Sequence, residues 1–292
     1  MRVRTLWRVV LPLYILVLAL SFGWSATHRQ HELRVTFLDV GQGDSCVIES
    51  PSGKVIVIDT GRIAMDGSDD QGRETVAPYL RSRGINKVNI LLLTHPDADH
   101  VGGAASVLDR IPVETLLLNG QSFDSHLMSH ILEEAQVHHT DYKLGRREQT
   151  LDFGDGTTAQ VLSPTEEETQ GKTNDASIVL RLEYGRTAFL LTGDAETAEE
   201  SDILASGQNV AADVLKVGHH GSRHSTTPEL LAAAHPKIAV ISVGARNVYG
   251  HPDPGVMQRL EGAHTDIYRT DKRGAVTCLS DGVTVHTETM RP

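Results

Sequence analysis

Short apolar blocks recur along most of this chain, and they fall into two successive series of the same form. Residues 33–40, 45–49 and 54–59 read as strands, the last two joined by a turn at Pro51-Ser52-Gly53. A helix follows over 74–83, closed by Gly84, where a left-handed cap is expected. Residues 88–94 form a continuous apolar strand of the kind buried on both faces. Then come a helix over 101–108, a strand over Val113–Leu118 and a helix over 125–136. The second series opens with strands at 158–162, 177–184 and 187–192, the last two meeting at a tight turn, Tyr184-Gly185-Arg186. It continues with strand 213–217, helix Pro228–Ala234, strand 238–243 and helix Pro254–Gly262, and ends in strands near 267–270, 275–279 and 283–286. Hairpins followed by strand–helix alternation, twice over, fit two packed sheets with helices outside. The expectation is one α/β domain over residues 31–292, a four-layer αββα sandwich.

The first thirty residues follow a different pattern. Arg2, Arg4 and Arg8 flank or precede an apolar run over 9–22, and no acidic residue occurs before Glu32. A charged segment followed by a short apolar one is the pattern of a secretory signal. The run is short for a spanning helix, so residues 1–30 read as a signal peptide or an N-terminal membrane anchor. Gly23 and Ser25 suit a cleavage site and Trp24 does not. Either way the remainder is expected to be exported, secreted or held on the outer face of the cytoplasmic membrane. The 27 basic and 38 acidic residues give a formal net charge of −11. Such a surface repels a polyanion at long range and argues against an electrostatically driven nucleic-acid binder. Cys46 and Cys278 are the only cysteines. They form one disulfide or remain free thiols, and spacing does not decide which.

Four strand ends carry metal-capable residues, in the loops where rigid scaffolds place chemistry. The first is His95-Pro-Asp97-Ala-Asp99-His100, where imidazoles and carboxylates crowd into one short loop. A cation would neutralise that crowding; the competing reading is a helix-capping cluster with Asp99 as N-cap. Gly102 and Gly103 allow close packing beneath it. The second is Gly193-Asp194, a carboxylate that bridges two cations or caps the following helix. The third is His219-His220-Gly221-Ser222, imidazoles at the end of another apolar strand. The fourth is Asn247-Val-Tyr249-Gly-His251-Pro252. There His251 reads as a ligand, a substrate contact, a proton donor or part of a structural turn, and Asn247 and Tyr249 line a pocket. Asp59, ending another strand, is expected to orient a ligand histidine rather than touch metal. The loop over 61–72 carries Asp66, Asp69 and Asp70 without EF-hand spacing and reads as a solvated lid.

His95-x-Asp97-x-Asp99-His100, Gly193-Asp194 and His219-His220-Gly-Ser together resemble the metal motifs of the metallo-β-lactamase superfamily. The run Phe37-Leu-Asp-Val-Gly-Gln-Gly-Asp44, with Asp97 and the Tyr249-Gly-His251-Pro252 ending, is more specifically similar to the C-terminal hydrolase domain of ComEC-type competence proteins. The resemblance covers residues 33–285. It implies hydrolysis by a metal-activated water with two divalent ions. His95, Asp97 and bridging Asp194 would hold one; Asp99, His100, Asp194 and one of His219 or His220 would hold the other. Asp97 stands where the superfamily usually has histidine, and the histidine usual upstream of the Gly-Asp strand is replaced by Asn174-Asp-Ala-Ser177. Fewer nitrogens shift the preference from zinc towards manganese, or towards a weakly held first ion. Asp99 and His251 are the candidate catalytic residues. Asn174, Ser177, Lys216, Ser222 and Asn247 are the candidate substrate contacts. The implied substrate is a phosphodiester, DNA foremost. The alternatives are an exported hydrolase of small esters or phosphoesters, and a metal-stabilised binding module without activity.

Overall fold

The computed structural model describes residues 32–64, 66–121, 125–170 and 174–292. Residues 1–30, read above as a leader or anchor, lie outside the described residues. Among the described residues no helix is long and apolar enough to cross a membrane.

The first series supplies β1 (Leu33–Phe37), β2 (Cys46–Glu49), β3 (Val55–Ile58), β4 (Val88–Leu93), β5 (Val113–Leu118) and β6 (Asp141–Leu144). The second supplies β7 (Thr150–Asp152), β8 (Thr157–Ser163), β9 (Val179–Tyr184), β10 (Thr187–Leu191), β11 (Val214–Lys216), β12 (Ile238–Ile241) and β13 (Asp266–Arg269). The chain then returns to the first sheet through β14 (Val276–Ser280) and β15 (Val285–Thr289). The sheet orders are β15-β14-β1-β2-β3-β4-β5-β6 and β13-β12-β11-β10-β9-β8-β7. Antiparallel hairpins give way to parallel pairing at β3–β4 in one sheet and at β10–β11 in the other. The repeated rhythm of the sequence is this repeated sheet. Its consequence is that the parallel neighbours β3 and β4 end side by side in the first sheet, as β10 and β11 do in the second.

Three apolar clusters make the four layers. Phe37, Ile48, Leu92, Leu180 and Phe189 belong to the cluster between the sheets. Val57, Leu80, Leu91 and Leu108 pack outer helices on the first sheet, and Leu190, Leu215, Leu230 and Leu260 do so on the second. Successive residues Leu91 and Leu92 thus serve opposite faces of one strand, as alternation of side chains requires. The αββα expectation holds. Cys46 and Cys278 are free thiols in the inter-sheet core.

The differences from expectation are local. The expected helix over 101–108 is two, Ala98–Val101 and Ala104–Arg110. A Cβ on Gly103 would lie 2.3 Å from the Gly72 nitrogen, so the glycine pair lets the loop over 61–72 lie directly on this break. The acidic side chains of that loop are engaged internally: Asp69 pairs with Arg62, Asp66 accepts from Ser68, and Asp70 accepts the Arg73 N–H. The edge strands β6 and β7 were not expected, because they are only four and three residues long and β6 is exposed at every position.

Candidate metal centre

The β4 strand ends in an abrupt turn that buries His95 and His100 completely and leaves Asp97 and Asp99 partly exposed. The cap of helix Ala98–Val101 is Asp97, whose side chain makes no capping bond; Asp99 lies inside the helix. The capping explanation of this cluster therefore fails. Asp194 likewise does not cap helix Thr197–Ala205, whose N-cap residue is Glu196. Asp194 follows Gly193, which has φ +52°, and its backbone N–H is held by the Ser177 hydroxyl at 3.2 Å.

These groups converge across the two sheets. Asp194 Oδ2 lies 3.2 Å from His100 Nε2, 3.6 Å from His220 Nε2 and 3.7 Å from His219 Nε2. His220 Nε2 is 3.2 Å from Asp99 Oδ2. Donor atoms of His95, His100 and Asp194 all lie within 4.8 Å of one another, as do those of Asp99, His100 and His220, and of Asp44, Asp194 and His220. His100, Asp194 and His220 each recur in two of these groups. Neither Asp97 nor His219 belongs to one: Asp97 stands at the rim, 3.6 Å from His95 Nε2, and His219 is a quarter exposed. Of the two adjacent histidines, His220 is the inner one.

The partners behind the ligands fix which nitrogen faces inward. His100 Nδ1 lies 2.7 Å from Asp59 Oδ2, so Nε2 is turned to the cluster. His220 Nδ1 lies 3.0 Å from the Ser242 carbonyl, and His219 Nδ1 lies 2.8 Å from Glu196 Oε1. Three of these residues hold left-handed backbone: Asp59 at φ 57°, His219 at 44° and His220 at 53°. Each such conformation costs on the order of 1 kcal/mol and persists only where the surroundings over-determine it. His95 Nε2, His100 Nε2 and Asp194 Oδ1 are buried without any hydrogen-bond partner. A fold rarely leaves three such atoms together unless a cation takes their lone pairs, so the residues present fit a divalent metal.

The electrostatics follow from this crowding. Burial would raise the pKa of Asp194, but the imidazoles of His100 and His220 outweigh it and hold the carboxyl well below its ordinary range. Asp99 is lowered in the same way, against burial, by the hydrogen bond from His220 and the charge of His100. Burial would lower His220, yet Asp194 and Asp44 push it up to about 10. His251, half-buried with its ring 5.6 Å from His219, is lowered by burial and by the neighbouring imidazoles, which favours its neutral form.

The candidate substrate contacts lie where they support the site. Lys216 is buried and paired with Asp44 at 2.6 Å, with Nζ also donating to the Val217 carbonyl. Its charge is taken up by that carboxylate rather than offered to solvent. Ser177 is buried behind His95 and Asp194. The Ser222 N–H closes a turn on the His219 carbonyl. The Asn174 amide lies 3.2 Å from His219 Nδ1, at the rim. Asn247 closes the fourth loop, donating to the carbonyls of Gly244 and His251 and accepting the His251 N–H. Two residues were missed as site members. Asp44 carries no sequence signal beyond ending the 37–44 run, and Glu196 none beyond lying two residues after Asp194.

Two face-packed mixed sheets, with a buried His/Asp cluster where their parallel strands end, define a metal-site αββα sandwich. The profile of the metallo-beta-lactamase superfamily matches residues 38–245, and the chain belongs to that superfamily. It is 34% identical over 256 residues to ComE operon protein 3 of Bacillus subtilis, covering 84% of this chain and 33% of that protein. It is 34% identical over 244 residues to Recombination protein 2 of Haemophilus influenzae, covering 83% and 28%. Competence protein ComA of Neisseria gonorrhoeae is 32% identical over 250 residues, covering 85% and 32%. The chain thus spans about a third of the length of these relatives. In fold it is similar to the metallo-beta-lactamase fold protein YhfI from Bacillus subtilis (TM-score 0.52, 13% identity, 85% of this chain and 100% of that one). It also resembles CmlA, a diiron beta-hydroxylase from Streptomyces venezuelae (TM-score 0.55, 13% identity, 85% and 54%).

Proposed function

We propose that this chain is an exported metal-dependent phosphodiesterase whose substrate is DNA. The observation that carries the reading is the convergence of orphaned His95 Nε2, His100 Nε2 and Asp194 Oδ1 in a buried cleft between two sheets. Competence and recombination proteins among the relatives support a nucleic-acid substrate. Two divalent ions, manganese or zinc, would activate water and stabilise the charge that develops on the phosphate.

The chain's own residues do the rest. Asp59, the Ser242 carbonyl and Glu196 hold the Nδ1 atoms of His100, His220 and His219, which turns Nε2 of each ring towards the cluster. Asp194 joins the two sheets' ligands from the centre. Asp99, kept ionised, accepts a hydrogen bond from the attacking water. His251, neutral at the rim, contacts the substrate. The basic-then-apolar segment over 1–30 would export the domain or hold it on the outer membrane face.

The test is turnover of bis-p-nitrophenyl phosphate and of an oligonucleotide with Mn²⁺ or Zn²⁺, for the parent chain and for Asp194→Asn. The parent should cleave both and the variant neither. Oligonucleotide cleavage should also fall as salt rises, because the phosphates are held by local cationic groups with which salt competes, although the protein as a whole is acidic. The acidic surface favours a second reading, hydrolysis of small neutral esters, and turnover of such esters alone, insensitive to salt, would establish it instead.

A further inference from the structure

The loop that follows β12 carries a feature the cluster does not use. Tyr249 is 68% exposed and Val248 is 89% exposed. Their exposure is not slack in the loop. The Asn247 side chain makes three hydrogen bonds across it, to Gly244, to the His251 carbonyl and from the His251 N–H. The base of the loop is pinned by the Gly244 N–H to the Gln42 side chain at 3.1 Å, and a Cβ on Gly244 would meet the Gln42 backbone at 2.7 Å. A rigid loop therefore holds an aromatic ring out in water.

The ring continues an array that starts at the cluster. Tyr249 stacks on His251 with centroids 5.7 Å apart and planes 27° from parallel. The His251 ring in turn lies 5.6 Å from that of His219 and 6.5 Å from that of His220. Beside this array runs a groove of about 380 Å³, bounded by Gln42, Arg62, Asp99, Arg246, Asn247 and Tyr249. Its lining includes Asp99, itself a member of the cluster. Arg62 is paired with Asp69, whereas Arg246 is exposed and forms no ion pair among the described residues.

We propose that this groove is a nucleotide subsite for single-stranded nucleic acid, with a base stacked on Tyr249 and the adjoining phosphate on Arg246. It rests on the phosphodiesterase reading for the bond that is cut, and it adds what holds the strand beside that bond. An exposed planar ring and an unpaired guanidinium on one groove are the pair of groups that a base and its phosphate require. The stacking demands an unpaired base, since a base in a duplex has both faces covered. One local cation and one ring also resolve how a strongly acidic protein engages a polyanion: contact is confined to a groove and does not draw on the surface as a whole.

The test measures binding and turnover separately. Binding of a fluorescein-labelled phosphorothioate oligo-dT to the full chain in Mn²⁺ is followed by anisotropy. Tyr249→Ala should weaken it roughly fivefold to a hundredfold and Tyr249→Phe should restore it. Arg246→Ala should weaken it and reduce the salt slope by about 0.7. In turnover, Tyr249→Ala should lose at least about tenfold more kcat/KM on the oligonucleotide than on bis-p-nitrophenyl phosphate, which has no flanking nucleotide. Parent-level binding by Tyr249→Ala, failure of the phenylalanine to rescue, no binding by the parent, or equal losses on both substrates would each overturn the subsite. A parent that binds the oligonucleotide through Tyr249 but hydrolyses neither phosphodiester keeps the subsite and overturns the phosphodiesterase reading.

Discussion

Asp59 shows how much of the cluster depends on residues that never face its centre. Oδ1 accepts the Thr94 N–H at 2.8 Å, and Oδ2 faces the Thr94 hydroxyl at 2.7 Å and His100 Nδ1 at 2.7 Å. Both oxygens are thus engaged by donors. An amide in that place sets a donor against a donor whichever way it is turned, and it favours the His100 tautomer with its proton on the wrong nitrogen. Asp59→Asn is expected to lower divalent-metal affinity by about 10- to 100-fold with the fold intact, as read by metal titration alongside circular dichroism. Affinity equal to that of the parent would mean that His100 is oriented by other contacts. Asp59 was legible because it ends an apolar strand, as the ligands do. Asp44 and Glu196 were not, because nothing local distinguishes a carboxylate that meets its partner across the fold. Asp44 reaches Lys216 and His220 from another sheet, a juxtaposition made only by packing.

At the scale of elements, the apolar strands were readable and the polar edges were not. The run of β10 stands out because every position is buried, and those of β4 and β5 because each contains consecutive buried leucines, whereas β6 is exposed along its whole length. The helix Thr197–Ala205 shows the same limit from the other side, since it buries two glutamates where periodicity would place apolar residues. Glu199 is 2% exposed, bonded to the Ser163 hydroxyl, with Oε2 unpartnered. Burial pushes its pKa well above the ordinary 4.5, and the nearby carboxylates of Glu168 and Asp175 add to this. The folded state therefore holds this proton after the unfolded chain has released it. The contribution of Glu199 is complete below pH 4.5 and is lost as pH rises through the folded-state pKa. Glu199→Gln should accordingly lose less thermal stability than the parent as pH is raised from below that value into the neutral range. Parallel Tm–pH curves for the two proteins would show that this carboxyl ionises without cost.

At the scale of the whole molecule, the cluster is the seam between two similar halves. His95, Asp97, Asp99 and His100 follow β4 of one sheet, and Asp194, His219 and His220 follow β10 and β11 of the other. An ion held by donors from both is a cross-link, one that also relieves Asp44, Asp59, Asp99 and Asp194 of their mutual repulsion. Because the unfolded chain cannot assemble these donors, metal affinity should appear directly as folding stability. Free metal at a hundred times its dissociation constant adds about 2.7 kcal/mol, and at about 2–4 °C per kcal/mol for a domain approaching this size the Tm should fall by roughly 5–10 °C on chelation. Returning Mn²⁺ should restore it in a concentration-dependent way, and Asp194→Asn should respond much less than the parent. An identical Tm in chelator and in excess metal would show that the two sheets are joined by their apolar interface alone.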